Sequence, residues 1–300
     1  MILKDLPIGV KVRERKSSLA FLVAAHNHMG YRGTALVADC AVKLAAIDAA
    51  EPDNPDEARR QFGNNFYPLS NIHQWLNSSQ RDWYRPAHEF DAPPIAENLD
   101  HGRLDFFEVP YYSEEEKYAG DYSFKDDPGF LTWFSAQFVE SIHEVEVPCH
   151  LDPKPGEIHH GPPEPYKLKA KAFLLSVAEL GFEDVQPVVE GFRFPLFHDG
   201  RMRAVAPTLA AIGKPDDYVY EGCSFYYWLR TAVRGSATAS LLYDSDHRAA
   251  DYKSAPVGGF TFSGPAHVCG VSGIRPALNL DSGVRVSDGA DANGVYTLIF

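Results

Sequence analysis

The chain is short of cysteine, of positive charge and of long apolar runs, and each shortage removes a class of protein. Only 4 of its 300 residues are cysteine. Cys40, Cys149, Cys223 and Cys269 lie far apart, without the C-x-x-C spacing of a metal knuckle. A disulfide framework is therefore not expected, and these thiols read as reduced core or near-core residues. No stretch approaches the ~18 consecutive apolar residues that a membrane span needs. The opening Met-Ile-Leu-Lys-Asp-Leu-Pro has no basic stretch followed by an apolar one, so no signal peptide is expected and synthesis in the cytoplasm is. Against 41 acidic residues stand 28 basic ones, a net charge of −13. Such a chain repels nucleic acid and anionic membrane surfaces. Its densest basic cluster, Lys11, Arg13, Arg15 and Lys16, largely alternates and reads as the solvent face of a strand. There is no Gly-x-Ser-x-Gly elbow, no phosphate loop, no internal repeat and no low-complexity tail.

What is present is apolar material for a large core: 45% of residues are hydrophobic and 13% aromatic. A core of that size needs neither disulfide nor metal to hold it. Short apolar or β-branched runs separated by turn residues predict strands at Ala20–Ala25, Thr34–Asp39, Ala41–Ile47, Phe173–Ser176, Phe225–Leu229, Ala239–Tyr243, Val257–Phe262, Ile274–Leu280 and Val295–Phe300. Two helices are expected. Ser70 caps one over Asn71–Asn77, with Leu69, Ile72, Trp75 and Leu76 on one face. The other runs from Pro128 to Ile142 with Asp127 as its cap, and buries Phe130, Trp133, Phe134, Phe138 and Ile142. Glu51–Gly63 and the proline-rich Leu151–Pro165 read as loops. The pattern predicts one α+β domain over residues 1–300, mostly antiparallel strands with two flanking helices, carrying an insertion at about 84–165.

Several residue groups have the right types for chemistry. His143, Cys149, His150, His159 and His160 are zinc-ligand types within one proline-rich stretch, although their spacing matches no finger. Asp244, Asp246 and Asp251 offer oxygen ligands for calcium, with a polar hairpin loop as the alternative. Asp288, Asp291 and Asn293 read as turn formers. Cys269, beside His267, superficially suggests an activated thiol. Tyrosine is plentiful, with 15 residues. Tyrosine suits sugar and protein surfaces because its ring is flat and its tip polar. Tyr220, Tyr226, Tyr243 and Tyr252 fall in the C-terminal half. Strand alternation puts Tyr226 and Trp228 on one face and Tyr227 on the other, so with Trp228 in the core Tyr227 is the surface candidate. The expected ligand-binding set is Tyr220, Tyr227, Tyr243, Asp244, Asp246, Arg248, Asp251 and Tyr252. Arg230 and Arg275 stand in apolar strand contexts and must find carboxylate or carbonyl partners.

Four signatures follow one another along the chain: Asn64-Asn-Phe-Tyr-Pro-Leu-Ser70 running into Ile72-His-Gln-Trp-Leu-Asn77; Phe173-Leu-Leu-Ser176 with Glu179; Tyr227-Trp-Leu-Arg-Thr231; and Gly273-Ile-Arg-Pro-Ala-Leu-Asn-Leu280. The series resembles an uncharacterised family of phages and gut bacteria, itself similar to C-type-lectin-like folds. Those folds include formylglycine-generating enzymes and phage tropism determinants. His73 stands where the family has arginine, Tyr227 where it has tryptophan, and Thr231 where it has serine. Trp75, Asn77, Phe173, Ser176, Trp228, Arg230, Arg275 and Pro276 are then expected to hold the fold. The resemblance implies a non-enzymatic, virion-associated recognition protein without a cofactor, calcium aside, which binds a glycan or a cell-surface protein. The alternatives are a virion decoration protein whose partner is its own assembly, homo-oligomeric or with other virion proteins, and an oxidase-type enzyme.

Overall fold

The computed structural model describes residues 1–99, 122–149, 166–182, 190–203, 205–207, 227–232, 238–242, 262–267 and 272–300. In chain order its first strands are β1 (Lys11–Arg13), β2 (Ala20–His26), β3 (Thr34–Ala38), β4 (Cys40–Ala41) and β5 (Lys43–Ala45). Next come β6 (Val145–Cys149), β7 (Tyr166–Ala170), β8 (Ala172–Leu174) and β9 (Ala206–Pro207). The last are β10 (Tyr227–Ala232), β11 (Thr238–Leu242), β12 (Phe262–His267), β13 (Ser272–Ile274), β14 (Pro276–Leu280), β15 (Arg285–Val286) and β16 (Val295–Ile299). The helices are short: α1 (Glu57–Phe62), α2 (Asn71–Leu76) and α3 (Ala136–Ser141). The protein is mixed α/β, with most strands in antiparallel pairs.

The larger sheet has seven strands in the order β15-β16-β1-β2-β3-β14-β8. It brings the two ends of the chain together, because β1 lies parallel to β16, with Lys11 opposite Val295. Its two faces are both covered. Phe21 pairs with Ala38 across β2 and β3 and meets Phe134 and Phe138 at 6.1 and 6.2 Å. Phe173, on the opposite face by strand alternation, stacks on Tyr31 at 5.3 Å, and Tyr31 meets Phe194 at 5.8 Å. Because both sides are closed, β3 is buried at all five positions instead of alternating. The smaller sheet has the order β12-β11-β10-β13-β5. A contiguous cluster of buried apolar residues runs from Leu3 to Leu298 and includes Trp75, Trp228 and Ile274.

The first expected helix forms as α2: the Ser70 hydroxyl accepts from the His73 N–H at 3.3 Å, and Ile72, Trp75 and Leu76 are buried. The second is broken. Phe130–Trp133 is a 3₁₀ turn, Phe134 is extended, and α3 starts afresh with Ser135, not Asp127, as its cap. Lys16 explains the break, because its ammonium donates to the carbonyls of Thr132 and Phe134 at 2.8 and 3.0 Å and removes them from a helical ladder. Most of the expected stripe survives: Phe130, Phe134, Phe138 and Ile142 are buried, while Trp133 is only partly so. Glu51–Gly63 also departs from a plain exposed loop, since α1 lies within it and Glu51 and Asn54 are buried.

Candidate functional site

The second and third sequence signatures meet at one buried polar centre. The Phe173-Leu-Leu-Ser176 run ends β8, and Ser176 and Glu179 close a tight turn on each other. The Ser176 N–H donates to Glu179 Oε2 at 3.0 Å, and the Glu179 N–H donates to the Ser176 hydroxyl at 3.1 Å. This reciprocal arrangement aims the Glu179 carboxylate at β10. There Arg230 donates to Oε2 and Oε1 at 2.6 and 2.8 Å, and neither side chain has exposed surface. The remaining Arg230 donors go to the carbonyls of Leu174, Glu190 and Pro148. Tyr31 adds its hydroxyl to Glu179 Oε1 at 2.5 Å. Burial works against the Arg230 charge, but the adjacent carboxylate outweighs it and holds the pKa well above the ordinary arginine value. Burial, with Glu179 second, likewise keeps the Tyr31 phenol protonated.

The first signature stitches α2 to β8. Asn77 donates to the carbonyls of Ala172 and His73, and its side-chain oxygen accepts from the Lys171 and Ala172 N–H groups. Trp75 donates to the Pro128 carbonyl at 3.0 Å. The fourth signature supplies a second buried arginine. Arg275 donates to the carbonyls of Ala38, Met202 and Arg203 and to the Tyr227 hydroxyl. Pro276 follows it as the first residue of β14, opposite Leu174. Both arginines thus have the carboxylate or carbonyl partners that burial demands.

Tyr227 corrects an expectation. It is 1% exposed, as is Trp228, and β10 is buried at all six positions. Its hydroxyl donates to the Arg203 carbonyl at 2.9 Å, and Trp228 donates to the Ala45 carbonyl at 2.8 Å. A strand covered on both sides has no solvent face for alternation to assign, so Tyr227 is an interior residue and not a surface one. Tyr220, Tyr226, Tyr243, Asp244, Asp246, Arg248, Asp251 and Tyr252 lie outside the described residues, as do His150, His159, His160, Cys223 and Cys269. The described strand ends that flank the expected binding segments do come together. Phe262 pairs with Leu242, Leu242 with Tyr227, Tyr227 with Gly273, and Gly273 with Leu44, making one row across the end of the smaller sheet.

Of the other candidates, Cys149 is buried and its thiol faces the Val147 carbonyl at 3.7 Å. Burial pushes both the Cys149 and the half-buried Cys40 thiols up to about 12, so neither is a thiolate at neutral pH. Among the described residues no group of three or more His, Cys, Asp or Glu side chains is arranged to hold a metal. Asp291 does make a turn, accepting from the Asn293 and Val295 N–H groups.

Sequence reading missed a carboxylate cluster beside the end of β5. Asp48 is buried and accepts from the N–H groups of Asn64 and Asn71. Asp91 accepts from the side chains of Asn71 and Gln74. Glu51, fully buried, accepts from the Asn54 side chain and lies 3.3 Å from His88 Nε2. Burial raises the pKa of all three carboxyl groups, against the opposing pull of their hydrogen bonds. No spacing signal reveals the cluster, because Asp91 and His88 arrive from a distant loop.

Residues 33–282 match the DUF6273 family, described as a domain of unknown function, and the chain belongs to that family. No curated protein and no solved structure matches the chain.

Proposed function

We propose that the chain is a C-type-lectin-like, non-enzymatic recognition module, encoded by a phage or prophage, that binds a glycan or a cell-surface protein. Its binding residues are Tyr220, Tyr243, Asp244, Asp246, Arg248, Asp251 and Tyr252, with Asp244, Asp246 and Asp251 as the place for a calcium ion. The observation that carries this reading is the row of paired strand ends at Phe262, Leu242 and Tyr227. The segment holding Tyr243, Asp244, Asp246, Arg248, Asp251 and Tyr252 leaves that row at Leu242 and returns to it at Phe262, and the segment holding Tyr220 enters it at Tyr227. Behind the row, β10 is pinned by the Arg230–Glu179 pair and by the Tyr227–Arg275 bond. Recognition loops work best on such a base, because a rigid scaffold limits the ordering cost on binding. The mixed, mostly antiparallel architecture agrees with the coarse outline of that fold. The resemblance stated from the four signatures supplies the lectin-like and phage parts of the proposal.

The test is binding of the labelled, full-length protein to a bacterial glycan panel and to intact gut-bacterial cells, with calcium and with a chelator. Saturable binding supports recognition, and its loss on chelation assigns calcium to the Asp244–Asp251 stretch. Absence of binding by a sample with a cooperative unfolding transition rejects the proposal in favour of a structural, assembly-bound role.

A further inference from the structure

Arg193 and Arg203 bring two positive charges to one carbonyl oxygen. Arg193 donates from Nε and Nη2 to the Phe197 carbonyl at 3.3 and 2.8 Å. Arg203 donates from Nε to the Leu180 carbonyl at 2.8 Å, and its Nη2 stands 3.5 Å from the same Phe197 oxygen. Arg203 is 5% exposed, and its guanidinium lies 4.6 Å over the Phe182 ring. Burial lowers the Arg203 pKa, and the neighbouring Arg193 charge lowers it further. Among the described residues neither arginine has a carboxylate partner, and Nη1 of each donates to nothing.

The surrounding charges are already matched. Arg230 has Glu179, and Arg275 has three carbonyls and the Tyr227 hydroxyl. Asp199, a carboxylate of the same stretch, is held by Arg201 through bonds of 3.0, 3.1 and 2.7 Å. Two like charges held together with carbonyls alone cost electrostatic energy, which a shared anion would recover. The chain has 41 acidic residues against 28 basic ones, so this pairing of cations runs against its composition.

The backbone makes room for the pair. A Cβ on Gly181, whose φ is +85°, would lie 2.5 Å from Arg193 Cδ and 2.6 Å from its Nε. Only a glycine lets the Arg193 side chain lie so close to that turn. Arg193 is half-buried and Phe192 beside it is 47% exposed, so solvent reaches the pair from this side. On the inner side the Arg203 carbonyl accepts from Tyr227 and Arg275, which fixes its place against β10.

We propose that Arg193 and Arg203 form a binding site for one small oxyanion, a carboxylate, sulfate or phosphate group, bridged between the guanidinium donors that Phe197 and Leu180 leave unused. Paired oxygens match the fork of a guanidinium, and each contact is charge-assisted. The site is separate from the Tyr243–Tyr252 stretch and does not depend on that stretch binding a glycan.

The test is thermal unfolding of the full chain in sodium acetate, sulfate or phosphate, each titrated against sodium chloride at constant ionic strength. At least one of the three is expected to raise the midpoint saturably, with half-saturation at about millimolar anion, and the anion that does so identifies the group. Sulfate and phosphate also stabilise by exclusion from protein surfaces, but that rise does not saturate. Arg193→Gln is expected to weaken the anion by at least about tenfold, the loss of a charged donor. Arg193→Lys keeps the charge without the fork, serves where the glutamine variant does not fold, and is expected to weaken it by about three- to tenfold. Arg285→Gln, exposed on β15, should leave the response unchanged. The site is overturned by the absence of a saturable rise with all three anions, by an undiminished rise in Arg193→Gln and Arg193→Lys, or by an equal loss in Arg285→Gln.

Discussion

Arg230 and Glu179 sit in a fully buried, two-pronged ion pair with donor–acceptor distances of 2.6 and 2.8 Å, and every remaining guanidinium direction ends on a carbonyl. Charges removed from water are tolerated only when so completely partnered. Glu179→Gln leaves a buried guanidinium without its counter-charge and is expected to cost ~3–5 kcal/mol, as is Arg230→Met. The double variant should lose clearly less than the sum, because it removes both charges together. Chemical denaturation of the three variants measures this, and strict additivity would show that the two side chains do not act as a unit.

Gly33 and Gly30 separate steric from backbone strain. Both have positive φ, +83° and +85°, but a Cβ on Gly33 would lie 2.3 Å from the Leu280 carbonyl oxygen, whereas nothing lies within 4 Å of one on Gly30. Gly30→Ala is expected to cost ~1–2 kcal/mol, the left-handed conformation alone. Gly33→Ala is expected to cost several kcal/mol more, since β14 backbone must move. The comparison needs two thermal unfolding curves; equal losses would contradict the close approach.

Tyr227→Phe removes a hydroxyl that donates to Arg203 and accepts from Arg275. A loss of ~1–3 kcal/mol in stability is expected, because two buried groups lose a partner. Binding to cells or glycans should be unchanged. Tyr243→Ala and Tyr252→Ala should behave in the reverse way, keeping stability and losing binding. A Tyr227→Phe protein that unfolds normally and fails to bind would return this residue to the surface.

His73 predicts a stability loss on acidification. Its Nδ1 accepts from Asn77 at 3.2 Å, its ring edge meets Tyr67 at 5.4 Å, and burial lowers its pKa to about 4. The folded chain therefore binds fewer protons than the unfolded chain between pH ~6.5 and ~4. Stability falls across that window as pH falls, by at most on the order of 3 kcal/mol. The raised Asp48 pKa acts with the opposite sign: its contribution is full below the unfolded carboxylate value near ~3.9 and is lost as pH rises through the folded one. In His73→Gln the part of the loss between pH ~6.5 and ~4 that comes from this ring should vanish. Denaturation midpoints at several pH values decide it.

The elements legible in the sequence were those specified locally. Ser70 and the apolar spacing of Ile72, Trp75 and Leu76 announced α2, and the structure carries the cap. The aromatic stripe from Phe130 to Ile142 announced a buried face. It did not announce the break at Phe134, since the agent of that break, Lys16, stands 118 residues away. The need of Arg230 and Arg275 for partners followed from charge and burial alone. That one would take the carboxylate of Glu179 and the other carbonyls and the phenol of Tyr227 did not.

Composition, apolar spacing and capping residues by themselves determined that this chain builds a large, strand-rich core, where α2 begins, and that Trp75, Phe130, Phe138, Trp228, Arg230 and Arg275 lie inside. These are matters of local period and of the cost of burying charge. Tertiary structure alone decided that Tyr227 faces inward, that Glu179 meets Arg230, and that His88 meets Glu51. Each depends on covering a second face or on joining distant segments, and neither leaves a mark on the neighbouring residues.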